Sequence, residues 1–471
     1  MFACARGHIL AGSDRGAGLR ATVDRVTRRG AIACTYVALA MVLGGGGTPA
    51  PKAEIAVQMA FALAAFAWFW AGPPRTHQHG NEPVPRSLVI LGAAVLALPL
   101  VQVVPLPPFV WQALPGREIQ LRALALVNEE HSWRPLSIAP TTTLASFLAI
   151  VPAVGAMWAT ASLTMQDRRA VLLIIGSVTL IGAMLGAVQV TVGPEAFRLY
   201  EKVHSGWLTG FFANRNAAAD GMLVGALAIA AWTASGQQRA RSRSWFAAGG
   251  LAFLALATLL TGSRAGLALM LPVGLACCWL LYSSFERARS RRSAIIGLGV
   301  AVVTAGFAFH PRIAGVVDRF DGVADPRLAL WQDTLIALQA WFPAGAGVGT
   351  FVEAFLPFED ASRLDALFPN RAHNDYLEFA IEAGAAAPVL LISGAVILGM
   401  LAFGSWQRAG RRGRAHLVFA LGTLLVMMLH SAIDYPLRNM ALACLAGVAA
   451  GMLHQPPGDR AAQDGRTEWA A

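Results

Sequence analysis

Twelve apolar runs, at about 31–47, 53–72, 87–105, 143–164, 170–192, 216–234, 245–261, 265–282, 294–309, 387–404, 415–432 and 437–454, constrain this chain more than any other feature. A helix needs roughly 17–25 residues to cross a bilayer. In hydrocarbon each backbone N–H and C=O must be satisfied within its own segment or a closed barrel, so apolar runs of this length in series predict an all-α polytopic membrane protein. The first and seventh runs are near the short limit and the third contains Pro99 and Pro105, which brackets the count at eleven to thirteen. Composition agrees, with 56% hydrophobic and only 14% charged residues, where a soluble domain carries roughly 25% charged.

Arginine placement sets the expected orientation, because short cytoplasmic connections retain Lys and Arg. With an N-in start, 23 of the 37 Lys and Arg fall on the cytoplasmic side, and the rest lie in much longer loops opposite. The expected organisation is a basic cytoplasmic tail (1–30), spans one to nine (31–309), a large periplasmic loop (310–386), spans ten to twelve (387–454) and a cytoplasmic tail (455–471). Residues 1–30 lack the short apolar core and cleavage site of a targeting peptide. The net charge of +10 therefore reflects juxtamembrane clusters that attract anionic inner-membrane lipids, not a nucleic-acid partner. The five cysteines, Cys4, Cys34, Cys277, Cys278 and Cys444, fall in the tail or in spans and do not have metal-site spacing.

The polar mass gathers on the opposite side. Loop 106–142 reads as a lid on the membrane surface, with Trp111 and Trp133 as interfacial anchors. Loop 193–215 ends at Asn214-Arg215-Asn216, with Asp220 about one turn inside the next span. A carboxylate at that depth must face protein or a water-filled cavity, and an Arg215–Asp220 pair is the plain expectation. The turn Thr261–Gly266 pins Arg264 at the membrane boundary. In loop 310–386, which holds 5 Arg against 11 Asp and Glu, an amphipathic helix is expected over 325–341 with Arg327 in its first turn. The stretch 342–351 follows; its Gly345, Gly347 and Gly349 match neither a dinucleotide fingerprint nor a P-loop and license a turn of close backbone approach. Next comes a polar helix over 371–384. It carries His373 on its docking face and Asp375, Glu378 and Glu382 as an acidic stripe toward water. In the last external turn, His430 and Asp434 are four apart and could bond to each other.

Arg215, Arg264, Arg327, Arg371, Arg438 and His373 are thus expected on one side near span ends, as an outward-facing cationic pocket. Guanidinium groups hold phosphate oxygens through paired, charge-assisted hydrogen bonds. A histidine can take a proton from a hydroxyl at neutral pH, an effect worth about 10²- to 10⁴-fold. Neither a nucleotide motif nor a set of metal ligands is present.

These residues resemble the O-antigen ligase and O-antigen polymerase superfamily of bacterial membrane glycosyltransferases. The resemblance spans roughly 210–440 and rests on the order of several marks: Phe211-Phe-Ala-Asn-Arg-Asn216, Gly262-Ser-Arg-Ala-Gly266, Arg327 with Trp331, the turn from Pro343 to Phe351, His373-Asn374 before Gly384, and Asp434-Tyr-Pro-Leu437. Ala387 departs from the second glycine common in ligases. The resemblance implies a multi-pass inner-membrane enzyme, N-in and C-in, working without cofactor or metal. Its donor would be an undecaprenyl-diphosphate-linked glycan, and its acceptor a glycan, lipid A-core or protein hydroxyl. It also implies that Arg264 and Arg327 hold the donor pyrophosphate, that His373 is the base, and that Arg215 and Asn374 assist binding. Ligase and polymerase remain alternatives. A twelve-span transporter or flippase would show repeated halves or polar helices at the midplane; no repeat is found, and the ionisable residues gather at one face. For a structural scaffold, that placement of arginines would be incidental.

Overall fold

The computed structural model describes residues 26–46, 51–72, 83–193, 196–236, 241–284, 326–363 and 369–455. The expected ninth span, most of both expected tails and the start of the large loop lie outside the described residues. Elsewhere the apolar runs become helices within a few residues of expectation: α1 (Arg28–Leu43), α2 (Pro51–Trp70), α3 (Arg86–Gln102), then, after a two-stranded ribbon and two short helices, α6 (Pro140–Ala161), α7 (Met165–Val192), α8 (Arg215–Ala234), α9 (Arg241–Leu260) and α10 (Arg264–Ser284). The ribbon pairs β1 (Pro105–Leu106) with β2 (Arg134–Pro135), and between them lie α4 (Pro108–Trp111) and α5 (Glu118–Ala125). Beyond the large loop's α11 (Pro326–Trp341), α12 (Phe351–Phe355) and α13 (Asp375–Ala383) come α14 (Ala386–Arg408), α15 (Arg411–Ser431) and α16 (Met440–Met452). Among the described residues, seven helices are long and apolar enough to cross a membrane, and three shorter apolar helices accompany them. The chain is an all-α polytopic membrane protein.

Helix α8 runs through the centre, packed against α7, α9, α10 and α15, and fifteen of its twenty residues are buried. Helix α16 lies against α6 closely enough that a Cβ on Gly447 would meet the Ala153 carbonyl oxygen at 2.2 Å, the small-residue approach that substitutes for hydrophobic drive between helices in lipid.

The bundle has two unlike ends. At one, Asp167 accepts from the Thr27 N–H and hydroxyl at 2.8 and 2.9 Å and so fastens α1 to α7. There the buried Arg168 guanidinium donates to the carbonyls of Leu163, Ala161 and His454. Arg168 therefore clamps the α6–α7 turn to the segment that follows α16. At the other end sit the loops.

The two loops form one unit. Gln102, at the last turn of α3, donates to the Glu382 carbonyl at 3.0 Å, accepts from the Val348 N–H at 2.9 Å, and through its own carbonyl accepts from the Ser137 N–H at 2.8 Å. Trp111 departs from expectation: it is fully buried, and its indole donates to the Ser132 carbonyl at 3.0 Å, which makes it the core of the 105–139 loop, not an interfacial anchor. Trp133 is 64% exposed. Ala337, Trp341, Ala346, Phe351, Phe355, Ala372 and Ile381 make a small apolar core for the 326–386 segment. The glycine stretch closes it, with Gly345, Gly347 and Gly349 all at positive φ. The Ala346 and Gly347 N–H groups bond the Ile381 and Glu382 carbonyls, both at 2.9 Å. A Cβ on Gly345 would lie 2.7 Å from the Gly384 nitrogen, so the close backbone approach expected here is present.

Candidate active site

His373 is not on the helix. It precedes it, at φ +50°, in the left-handed region that few non-glycine residues enter. Asn374 is the N-cap of α13: its side-chain oxygen accepts from the Tyr376 and Leu377 N–H groups at 3.0 and 3.1 Å, and its amide donates to the Ala432 carbonyl at 3.0 Å. On the other flank, Ala372 is held at both backbone groups, its N–H by Glu378 at 3.0 Å and its carbonyl by the Trp331 indole at 2.9 Å. The unusual backbone of His373 is thus fixed by both neighbours. Its imidazole meets Asp434 and Tyr435, in the turn that follows α15.

The expected acidic stripe toward water is also reversed. Asp375, Glu378 and Glu382 are buried and enclose Arg438, which lies 2.7 Å from Glu382, 3.3 Å from Glu378 and 3.6 Å from Asp375, while Arg371 bonds Glu378 at 2.7 Å. Two of the six members expected in the cationic pocket are therefore committed to ion pairs that hold α13 against the turn before α16. Burial raises the Asp375 carboxyl to about 7 against the pull of Arg438, whereas Arg438 and Arg371 overcome burial and hold Glu378 low. The i, i+3, i+7 spacing was correct, but the cations that bury it lie before and far beyond the helix.

Asp434 is the centre of what remains, a role the sequence did not reveal. Its Oδ1 lies 3.0 Å from His373 Nδ1, and its Oδ2 accepts from the Asn216 amide and lies 3.9 Å from Arg327 Nη2. Arg327 is anchored by Nη1 to the Ile433 carbonyl at 2.6 Å and keeps 24% of its side chain exposed. Burial alone would raise the Asp434 carboxyl. The hydrogen bond and charge of His373, with His430 and Arg327, outweigh it and hold the group at about 2. An ionised acceptor at Nδ1 keeps the proton on that nitrogen and leaves the Nε2 lone pair to the outside, on a side chain 31% exposed. The Tyr435 ring meets the imidazole edge-on, with centroids 4.9 Å apart at 62°.

The pairing expected between Arg215 and Asp220 is not the one formed. Asp220 lies 2.7 Å from His430 Nδ1, and Arg215 instead covers the Trp207 ring at 4.7 Å. The expected His430–Asp434 bond is likewise replaced by a 3.9 Å separation. Trp207 links Arg215 to the α9–α10 turn: a Cβ on Gly262, at φ +63°, would lie 2.1 Å from its ring, and Arg264 opens α10 two residues later. His204 completes this side. Its Nδ1 accepts from the Arg215 backbone N–H at 3.4 Å, and the charges of Arg215, Asp434 and His373 all act on it. No group of three or more His, Cys, Asp or Glu suited to a metal is found among the described residues.

A multi-pass helical membrane protein with a histidine–aspartate pair and a half-buried arginine at one end of the bundle is the class that fold and site define. Residues 249–392 match a family model described as O-antigen ligase, and the match supports the O-antigen ligase superfamily of membrane glycosyltransferases. The matched stretch contains Arg264, Arg327, His373 and Asn374, while Arg215, Asp220, His430 and Asp434 lie outside it. No curated protein matches the chain.

Proposed function

We propose that the chain transfers a glycan from an undecaprenyl-diphosphate carrier to an acceptor hydroxyl at the periplasmic face of the inner membrane, as an O-antigen ligase does. The observation that carries this reading is the His373–Asp434 pair at 3.0 Å with Arg327 on the same carboxylate. His373 Nε2 takes the proton from the acceptor hydroxyl, and Asp434 stabilises the imidazolium that forms. The oxygen then attacks the anomeric carbon as undecaprenyl diphosphate leaves with the bonding electrons, and direct displacement inverts that centre. Arg327 and Arg264 neutralise the departing pyrophosphate, with Arg215 on its Trp207 platform beside them. Asn374, whose amide oxygen caps α13 and whose amide nitrogen donates to the Ala432 carbonyl, serves by holding His373 in place. The arginine-rich end of the bundle lies opposite the site, which supports an N-in, C-in topology.

The test is transfer by the purified protein from a synthetic lipid-linked oligosaccharide, with lipid A-core or a second lipid-linked glycan as acceptor. His373→Ala is expected to bind donor yet lose transfer. Arg264→Ala and Arg327→Ala are expected to lose donor binding, with lysine rescuing only in part because it lacks the planar fork, and chelator is expected to change nothing. Wild-type transfer by well-folded His373→Ala would refute the base assignment. Chelator-sensitive transfer would point to a metal-assisted route.

A further inference from the structure

One buried pair behind the site has no part in the chemistry above. Asp220 is fully buried on the central helix α8, and His430, 1% exposed near the end of α15, meets it with Nδ1 2.7 Å from both carboxylate oxygens. The other imidazole nitrogen, Nε2, points toward Asp434 Oδ2 at 3.9 Å. That is too long for a direct hydrogen bond. A cavity of about 20 Å³, lined by Asn214, Asn216, Asp220, His430, Asp434 and Asn439 among others, adjoins these groups and has room for one water to bridge them. Four ionisable groups therefore follow one another as neighbours, Asp220, His430, Asp434 and His373, from about one turn inside α8 to the partly exposed His373.

Both ring nitrogens of His430 face carboxylates. The 2.7 Å approach of Nδ1 to both oxygens of Asp220 is the length of a charge-assisted bond from an imidazolium to a carboxylate, and a second carboxylate, Asp434, lies beyond Nε2 across the water site. We propose that Asp220 and His430 are positioning residues: a buried carboxylate–imidazolium pair that fixes the charge and aim of Asp434 and thereby sets the pH range in which His373 accepts a proton. The titratable and charged groups facing these residues are Arg327 beside Asp434 and His430, Tyr435 edge-on to His373, and His204 with Arg215 on the far side of His373. The inference rests on His373 being the base. In this arrangement the His430 cation opposes protonation of His373, and Asp220 keeps that cation in place.

The measurement needs no substrate. Diethyl pyrocarbonate modifies unprotonated imidazole, so its reaction with His373 in the full-length protein in detergent, followed by mass spectrometry of the His373 peptide across pH, reports that proton directly. In His430→Gln the midpoint is expected to move up by about one pH unit, the effect of removing one nearby, partly screened charge. Asp220→Asn is expected to move it in the same direction, the double variant no further than His430→Gln, and Asp220→Glu to restore the wild-type midpoint. Should Asp220→Asn fail to fold, His430→Gln and Asp220→Glu carry the test. An unmoved midpoint in a folded His430→Gln protein overturns the inference, as do additive shifts in the double variant. Failure of the proposed function shows up separately, as absent glycan transfer by wild-type protein.

Discussion

Changing Asp434 to Asn is the most demanding test of the site, because the substitution keeps shape and removes only charge and one acceptor. The carboxylate accepts from His373 through Oδ1 and from Asn216 through Oδ2. An amide has a single oxygen, so either orientation leaves one donor facing another donor. If the nitrogen faces His373, Nδ1 must give up its proton to become the acceptor, the proton moves to Nε2, and the base is lost. If the oxygen faces His373, the tautomer survives, but the counter-charge for the imidazolium does not. A hydrogen bond to a charged partner contributes about 1.5–3 kcal/mol, and losing aligned base catalysis costs roughly 10²- to 10⁴-fold. We expect transfer to fall by about 10³-fold within that range, with donor binding changed much less. Initial rates with saturating lipid-linked donor, alongside a direct binding measurement, provide the assay. A folded Asp434→Asn protein within tenfold of the wild-type rate would refute the dyad.

Two further outcomes follow from the surrounding structure. The Asp375 carboxyl, raised by burial to about 7, binds a proton in the folded state that it releases near 4 when unfolded, so the wild type should lose stability as pH climbs from about 4 through about 7. Asp375→Asn removes that loss, worth about 4 kcal/mol at full extent, and its melting temperature should gain on the wild type between pH 5 and pH 8; an equal difference at both pH values contradicts the buried-acid reading. Gly262→Ala forces a methyl group into the Trp207 ring at a positive-φ position, so the platform under Arg215 must shift. Donor affinity should drop severalfold while His373 modification by diethyl pyrocarbonate stays as in the wild type, and unchanged affinity would remove Trp207 and Arg215 from the donor site.

The apolar runs revealed the spanning helices to within a few residues because hydrocarbon leaves the backbone no other choice. Glycine chemistry likewise made the 342–351 turn legible. What the sequence concealed were partnerships at long range. Asp434 is 61 residues from His373 and 218 from Asn216, and no local pattern relates them. The acidic face of α13 looked solvated because its spacing is that of a surface stripe, yet Arg438 lies 56 residues beyond Glu382. Periodicity puts His373 on a helix because it ignores φ, which is +50° there. Asn374, a strong N-cap residue directly after it, was the available signal that the helix begins one position later.

Gln102 fastens the loop before α6 and the loop before α14 to one side-chain amide and one carbonyl. The roof of the site is accordingly a composite, not a cassette. Exchanging residues 326–386 with those of another protein would import a segment whose Glu382 and Val348 counterparts must find Gln102, and whose glycine turn must fit Ser137 and Ser146, the side chains nearest Gly347 and Gly349. A chimera meant to carry a new acceptor preference therefore has to transplant 102–146 together with 326–386, and drift in either loop is answerable to the other.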